Sequence, residues 1–408
     1  MSRIAIIGGG AAGFFLAVNL KERAADADVC IFEKSRRVLA KVEVSGGGRC
    51  NCTNSFAEVG DLKTVYPRGD KLMKRLFKVF DHEDAYRWFE AHGVPLTTQD
   101  DQCVFPKSQD SHSIINCLTA HAHRLGVKVM RSCSCSDIAP CEGEGFSLSF
   151  KTEEGVRTER FDKVVVTTGG SPQRKGFDWL ERLGHAICDP VPSLFTFSIN
   201  SSALRQLMGT VVENATASIP GTKFRSTGPL LITHWGMSGP AILKLSSYAA
   251  RHLAENAYRS PLIVNWTGET NTDSVIEHIS ITAQQNTQKQ LSSVRPYVTI
   301  PQRLWDYLIE KCDMKRDKRW GELGRKGINR IANILTNDTY NIEGKSAFRE
   351  EFVTCGGVSL SSVNMSTLES KHCPGLYFAG EVLDIDAVTG GFNFQAAWTT
   401  AYTVAQNI

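Results

Sequence analysis

The sequence predicts an α/β chain in which a dinucleotide-binding fold is interrupted by a β-plus-α domain and closed by the C-terminus. Three observations carry this. The apolar, β-branched run Ile4-Ala5-Ile6-Ile7 leads directly into Gly8-Gly9-Gly10-Ala11-Ala12-Gly13 and then a helical pattern. Two more apolar runs, at 163–166 and 375–379, each stop at a cluster of small residues. Between them, after Pro190-Val191-Pro192, the texture changes to alternating polar and apolar residues.

Taken in order, residues 3–7 read as a buried strand and 12–24 as a helix, with Phe15, Leu16, Val18 and Leu20 toward the core. Residues 29–32 make a second short buried strand. One or two amphipathic helices are expected over 69–92 and another over 110–125, followed by a strand at 127–130. Residues 145–150 alternate and predict a half-buried strand in a small antiparallel ribbon, with neighbours near 133–140 and 155–161. The run at 163–166 is a fully buried strand that ends at Thr167-Thr168-Gly169-Gly170.

Residues 194–233 hold alternating runs, 194–199 the clearest, which predict antiparallel sheet or barrel. Helices are expected over 239–255, 273–290, 301–312 and 320–335, and strand texture at 339–342 and 351–353. A last buried strand at 375–379 precedes a helix from about Phe394. The expected domains are therefore 1–190 and 351–408 for the discontinuous fold and 191–350 for the insert.

Composition narrows the function classes. The chain has 408 residues, 42% hydrophobic and 22% charged, which is room for two or three globular domains. Its net charge is +3, so no nucleic-acid partner is expected, and the cluster Lys315-Arg316-Asp317-Lys318-Arg319 reads as solvated surface. No apolar run reaches the ~18 residues of a membrane span. No secretory leader is expected, so most of the 12 cysteines are expected as free thiols in a reducing cytoplasm. The C-x-C pairs Cys50/Cys52 and Cys133/Cys135 have no second pair at zinc spacing, so no metal is expected. The expected partner is a small-molecule substrate, and oligomeric state is left open.

The motifs carry the chemistry. In the G-x-G-x-x-G, Gly8 allows the tight turn, Gly10 clears a path for a pyrophosphate, and Gly13 lets the helix pack against the strand. Ala11 and Ala12 open that helix, whose free N–H groups face an anion. Glu33 ends the next strand about 20 residues on, where a carboxylate accepts ribose hydroxyls. This fingerprint does not separate FAD from NAD. Two later crossings do: the strand ending at Gly169, and the strand ending in Ala379-Gly380-Glu381, whose acid is suited to the ribityl side of a flavin dinucleotide. The expected fold is therefore of the two-dinucleotide-fold type, with non-covalent FAD.

Two further stretches suit the same cofactor. Thr389-Gly390-Gly391-Phe392-Asn393-Phe394-Gln395 opens the C-terminal helix, and its N-terminus suits the negative charge of reduced flavin near N1 and C2=O. Ser45-Gly46-Gly47-Gly48-Arg49-Cys50-Asn51-Cys52-Thr53-Asn54 is too polar and glycine-rich for core and predicts a loop along the cofactor, with Ser45, Gly46, Gly48, Arg49 and Asn51 as contacts. Within it Cys50 is either a reactive thiol, its pKa lowered by Arg49, or a small buried filler.

These blocks, with Leu183-Gly184-His185, Pro190 to Leu194, Thr233 to Pro240 and Gly356 to Gln395, resemble the bacterial flavoproteins grouped with aminoacetone oxidase and the dehydro-bile-acid reductases. The resemblance implies FAD, a two-part dinucleotide fold, and an insert made of a β-barrel and a helical piece. It also implies that Glu33, Lys34, Lys41, Asn51, Glu381 and Asn393 touch the cofactor. The chain departs from the family pattern at Leu39-Ala40, where Gly then Arg or Lys is usual, and at Phe392, where Tyr is usual.

The reaction is less legible. His234, in His234-Trp235-Gly236-Met237-Ser238-Gly239-Pro240, is a candidate proton donor on the insert; a surface turn capping the helix at 239–255 explains the same residues. No second G-x-G-x-x-G exists, so NAD(P)H as electron donor would bind transiently. Three activities remain open: reduction of a small C=C or C=O substrate with NAD(P)H, oxidation of a small amine with O2, and a non-metabolic role as an RNA-modifying flavoprotein or redox sensor.

Overall fold

The computed structural model describes residues 2–345 and 353–408. The chain divides into two compact units, one formed by Met1–Val191 with Val353–Ile408 and the other by Pro192–Phe352. The expected boundary at 350/351 and the first two residues of the expected strand at 351–353 lie outside the described residues.

The first unit is built on a five-stranded parallel sheet. Its order is Leu376–Phe378, Lys163–Val166, Arg3–Ile7, Asp28–Phe32, Lys128–Met130. The apolar runs Arg3–Ile7, Asp28–Phe32 and Lys163–Val166 become its three central strands because both faces of a parallel sheet are covered. Ile4, Ala5, Ile6 and Ile7 are each at most 4% exposed. The register sets Ile7 opposite Val166 and Phe32, Val166 opposite Phe378, and Phe32 opposite Met130. All five strands therefore end on one line. Gly8, Glu33, Thr167 and Ala379 stand together just beyond it.

Helices Ala11–Arg23 and Phe392–Asn407 pack against each other. Both are buried nearly all round, so neither shows a clear apolar stripe. Phe15 packs on Phe80, Trp88, Phe89 and Trp398, which ties the first helix to its neighbours. The expected antiparallel ribbon is present as Ser134–Pro140, Phe146–Thr152 and Gly155–Phe161, and its Phe150 stacks on Phe32 at 4.0 Å. A small sheet of Thr53–Asn54, Cys103–Pro106 and Leu96–Thr98 was not foreseen.

The helical stretch at 69–92 splits into Asp70–Leu76 and His82–Ala91. Asp81 ends the ambiguity: its carboxylate accepts from the N–H groups of Glu83 and Asp84, and Asp84 accepts from the N–H of Asp81. The loop expected at 45–54 begins instead inside a helix, Ala40–Gly48, that breaks at Ser45.

The second unit carries a seven-stranded antiparallel sheet. Its order is Asp338–Ile342, Ser260–Asn265, Val211–Ser218, Arg225–Ile232, Gly236–Ser238, Phe197–Ser198, Gly344–Lys345. The two ends of that order belong to one stretch of chain. Residues 338–342 pair with Ser260–Asn265, and 344–345 pair with Phe197–Ser198, so the sheet closes into a barrel. Helices Thr272–Gln285, Gln302–Lys311 and Gly324–Thr336 form the helical part, where Trp305 and Trp320 stack.

The run at 194–199 joins the antiparallel sheet over a shorter length than its alternation predicts. Phe197–Ser198 form the strand and the Ile199 N–H donates to Trp235 O at 2.9 Å, whereas Leu194 turns at φ 59° and the Phe195 N–H goes to Ser246 Oγ at 2.9 Å. Phe195, Phe197 and Ile199 are nonetheless all buried. The alternation reported which side chains face the core, not which backbone groups pair. Among the described residues, no helix is long and apolar enough to cross a membrane.

Candidate cofactor site

The site lies in the first unit, at the carboxyl ends of the parallel strands, where open α/β sheets hold their ligands. The three motif glycines have different reasons to be glycine. Gly8 adopts φ 119°, and a Cβ there would collide with Thr167 O. A Cβ on Gly13 would collide with Gly8 O. A Cβ on Gly10 would meet nothing within 4 Å, and its backbone is extended. The first two are therefore demanded by the fold, whereas the emptiness before Gly10 leaves room for something else.

Gly10 caps helix Ala11–Arg23, so the N–H groups of Ala11, Ala12 and Gly13 have no partner within the helix. No acidic side chain sits in that first turn to neutralise them. Glu33 is held beside the loop: its carboxylate accepts from the N–H of Gly9 at 2.9 Å and from the N–H and hydroxyl of Ser35, each at 2.8 Å. Lys34 is exposed next to it.

The other two crossings converge on Glu381. Its carboxylate accepts from Lys41 Nζ at 2.8 Å and from the Thr354 N–H at 2.7 Å, with the Gly170 N–H as a further donor. Burial alone would raise its pKa; the Lys41 ammonium and the two backbone N–H groups outweigh that and hold it below the ordinary value. Gly169 turns beside it at φ 71°, its Cβ position 3.8 Å from Glu381 Oε2. Gly380 sits against Ala12 of the first helix and donates its N–H to Thr400 of the last.

A second helix N-terminus faces the same unit. Gly391, at φ 88°, caps Phe392–Asn407, which leaves the N–H groups of Phe392, Asn393 and Phe394 without intrahelical acceptors. The Asn51 amide oxygen accepts from the Gly391 N–H at 3.2 Å, and its nitrogen donates to Thr53 O at 2.8 Å. Asn393 turns its side chain away: it accepts from the Ala387 N–H at 2.9 Å and donates to Ala387 O at 3.0 Å. Both asparagines shape the site with their side chains, and Asn393 offers an anion only its backbone.

The stretch around Ser45 is a left-handed turn, with Gly46, Gly47 and Gly48 at φ 57°, 68° and 84°. Ser45 Oγ donates to Val42 O. Arg49 donates to Gly46 O and Gln109 Oε1, both at 3.2 Å, and lies over the Phe105 ring. Of the two readings of Cys50, the structure favours the small buried filler over a thiol activated by Arg49. Cys50 is fully buried, and burial pushes its thiol up to about 12, so it stays protonated at neutral pH. Backbone φ of 60° at Cys50 turns its side chain into the core while the Arg49 side chain goes to Phe105.

His234 lies in the other unit, at the exposed tip of a hairpin between Arg225–Ile232 and Gly236–Ser238. The tip is closed by Thr233, whose N–H donates to Gly236 O and whose hydroxyl accepts from the N–H groups of Trp235 and Gly236. Sequence reasoning missed Thr354 and Gly170 as donors to Glu381, and the buried pair Arg68 and Asp386. No local pattern marks any of them.

This donor set fits FAD. Two helix N-termini offer uncompensated N–H groups, the approach to Gly10 is open, and acids stand at two different strand ends. These residues would hold the adenosine at Glu33, the pyrophosphate at Gly10 to Gly13, and the flavin at Phe392 to Phe394.

Comparison with known proteins agrees. A family model described as HI0933-like protein Rossmann domain matches residues 2–407. The chain is 26% identical to the 3-dehydro-bile acid delta(4,6)-reductase of Clostridium scindens, across 98% of each chain. It is 27% identical to the Ribosomal RNA dihydrouridine synthase of Escherichia coli, across 99% of this chain and 97% of that one. The solved 3-ketosteroid delta1-dehydrogenase from Sterolibacterium denitrificans shares the fold, with a TM-score of 0.52 at 10% identity over 100% of this chain and 99% of that one. Matched almost end to end, and with its glycine loop and acids at the carboxyl ends of the parallel strands, the chain belongs to the HI0933-like protein Rossmann domain family.

Proposed function

We propose that the protein reduces a carbon–carbon double bond conjugated to a carbonyl, with NAD(P)H as reductant. The observation that carries this is common chemistry among relatives matched over nearly their full length. One relative is named for reducing the Δ4,6 positions of a 3-dehydro bile acid, and another for making dihydrouridine. Both names describe saturation of a C=C bond in conjugation with a ring C=O.

The balance is NAD(P)H plus a proton plus the C=C bond, giving NAD(P)+ and a saturated CH–CH. FAD, when bound, would supply a two-electron carrier between NAD(P)H and the substrate. The chain's own work is to hold and polarise. The N–H groups of Phe392, Asn393 and Phe394, free at a helix N-terminus, would hold negative charge on a flavin bound there. Glu33 orients the ribose, and Lys41 lends positive charge beside the pyrophosphate path while paired to Glu381.

A small cyclic enone is the first substrate class. A uracil ring within RNA is the second reading, favoured by two relatives named Ribosomal RNA dihydrouridine synthase and by a basic stretch of the insert. Between Asp313 and Arg330 there are seven Lys or Arg and three Asp or Glu. Lys315, Lys318, Lys326 and Arg330 line a surface cleft of about 640 Å³ there, together with Asp313, Asp317 and Glu322.

The test is anaerobic. NADPH or NADH should bleach the yellow protein, and a 4-en-3-one steroid or a uridine-containing ribosomal RNA fragment should restore the colour, leaving product two hydrogens heavier. Recovery only with O2 and release of peroxide would make the protein an oxidase and overturn the reading.

A further inference from the structure

We propose that the buried ion pair Arg68–Asp386 is a positioning pair that fixes the aim of the C-terminal helix's N-terminus at the bound flavin. The proposal rests on the FAD reading above. It starts from a mechanical problem. The helix is entered through Gly390 and Gly391, at φ 125° and 88°, and two consecutive glycines do not hold a direction by themselves. A helix terminus that stabilises charge must nevertheless be held before the charge appears.

The structure supplies that hold from outside the helix. Asp386 is fully buried and Arg68 is 11% exposed at its side chain. The guanidinium grips the carboxylate through two donors, Nε to Oδ1 at 2.6 Å and Nη2 to Oδ2. The same two residues pair through their backbones as an antiparallel bridge, and the Val388 N–H donates to Val65 O at 2.9 Å. Gly69 presses on Ile385 so closely that a Cβ would lie 2.9 Å from its side chain.

Residues 385–388 are thus fastened along 65–69. The fastening passes to the helix in one step. Ala387 gives its N–H and its carbonyl to the Asn393 side chain, in the first helical turn. Tyr66, two residues before Arg68, donates its hydroxyl to Phe392 O at 2.8 Å. Arg68 and Asp386 therefore act on the helix terminus through Ala387, Asn393 and Tyr66.

The experiment compares wild type, Arg68→Lys, Arg68→Met, Asp386→Asn and the double variant Arg68→Met/Asp386→Leu, each loaded with FAD. Flavin midpoint potential is read by anaerobic dye titration, and Tm beside it. Arg68→Met should shift the flavin about tenfold toward the oxidised form, which is about 30 mV for a two-electron couple. Arg68→Lys keeps the charge but loses the fork, and should recover part of that shift. The double variant should regain Tm, since apolar replacement of a buried pair is tolerated, yet keep the lowered potential. Potentials within twofold of wild type in Arg68→Met and the double variant, with only Tm altered, would reduce the pair to ordinary scaffolding and overturn the proposal. Opposite shifts in potential for Arg68→Met and Asp386→Asn would also overturn it, because they report bare charge rather than aim. A wild-type protein that binds no flavin would instead remove the FAD reading itself.

Discussion

At the scale of single residues, the glycines of the loop separate folding from binding. Gly13 has Gly8 O where a Cβ would go, while Gly10 faces open space. Gly13→Ala should therefore destabilise the protein by roughly 1–3 kcal/mol, as overpacking does. Gly10→Val should fold with a near-native Tm but purify colourless, because the branched side chain occupies the pyrophosphate's path. Thermal melts and absorbance near 450 nm read the two effects separately, and a fully yellow Gly10→Val protein would sink this placement of the cofactor. The spacing of the glycines was visible in the sequence. Their separate reasons were not, because each depends on what stands opposite. Cys50 teaches the same point: Arg49 is its chain neighbour, yet a positive φ sends the thiol into the core and leaves the guanidinium on Phe105.

At the scale of elements, the strands of the parallel sheet were legible to within a residue or two. A strand buried on both faces is a continuous apolar run, and few other structures demand one. The helix Ala40–Gly48 and the sheet around Thr53–Asn54 were not legible, since glycine-rich, polar segments take their shape from contacts rather than from propensity. Glu381 shows what element ends contribute once assembled. Its folded pKa lies below the ordinary 4.5, so its stabilising contribution is full above that value and drains away as pH falls through the folded pKa. FAD release should accordingly rise on the acid side of pH 4.5. Lys41→Met, which removes the ammonium, should move that release to higher pH. The exposed Lys41 partner alone is worth about 1 kcal/mol or less. Glu381→Gln should cost about 1–3 kcal/mol, because backbone N–H groups of Thr354 and Gly170 lose an anionic acceptor. Flavin fluorescence against pH measures all three proteins; an unshifted profile in Lys41→Met would remove Lys41 from this account.

At the scale of the whole molecule, each unit carries its own core. The apolar cluster running from Phe195 to Ile342 draws only on residues of the second unit. A fragment of residues 192–352 should therefore fold alone, with a cooperative melt and the far-ultraviolet signature of mixed sheet and helix. A fragment without a cooperative transition would show that the insert needs the first unit. What the sequence by itself determined was the local order: strand, glycine turn, helix, acid, and the return of apolar runs after a long interruption. Periodicity and glycine spacing act within a few residues, so they can be read there. Tertiary structure alone decided how those pieces meet. Lys41 reaches Glu381 across 340 residues, Arg68 reaches Asp386 across 318, and one stretch near 340 closes the barrel from both ends. Such contacts follow from sheet register and packing, which no window of sequence contains. The glycine loop was thus evident as a cradle from the start, and the folded chain decided which of its glycines shape it and which leave room for what it holds.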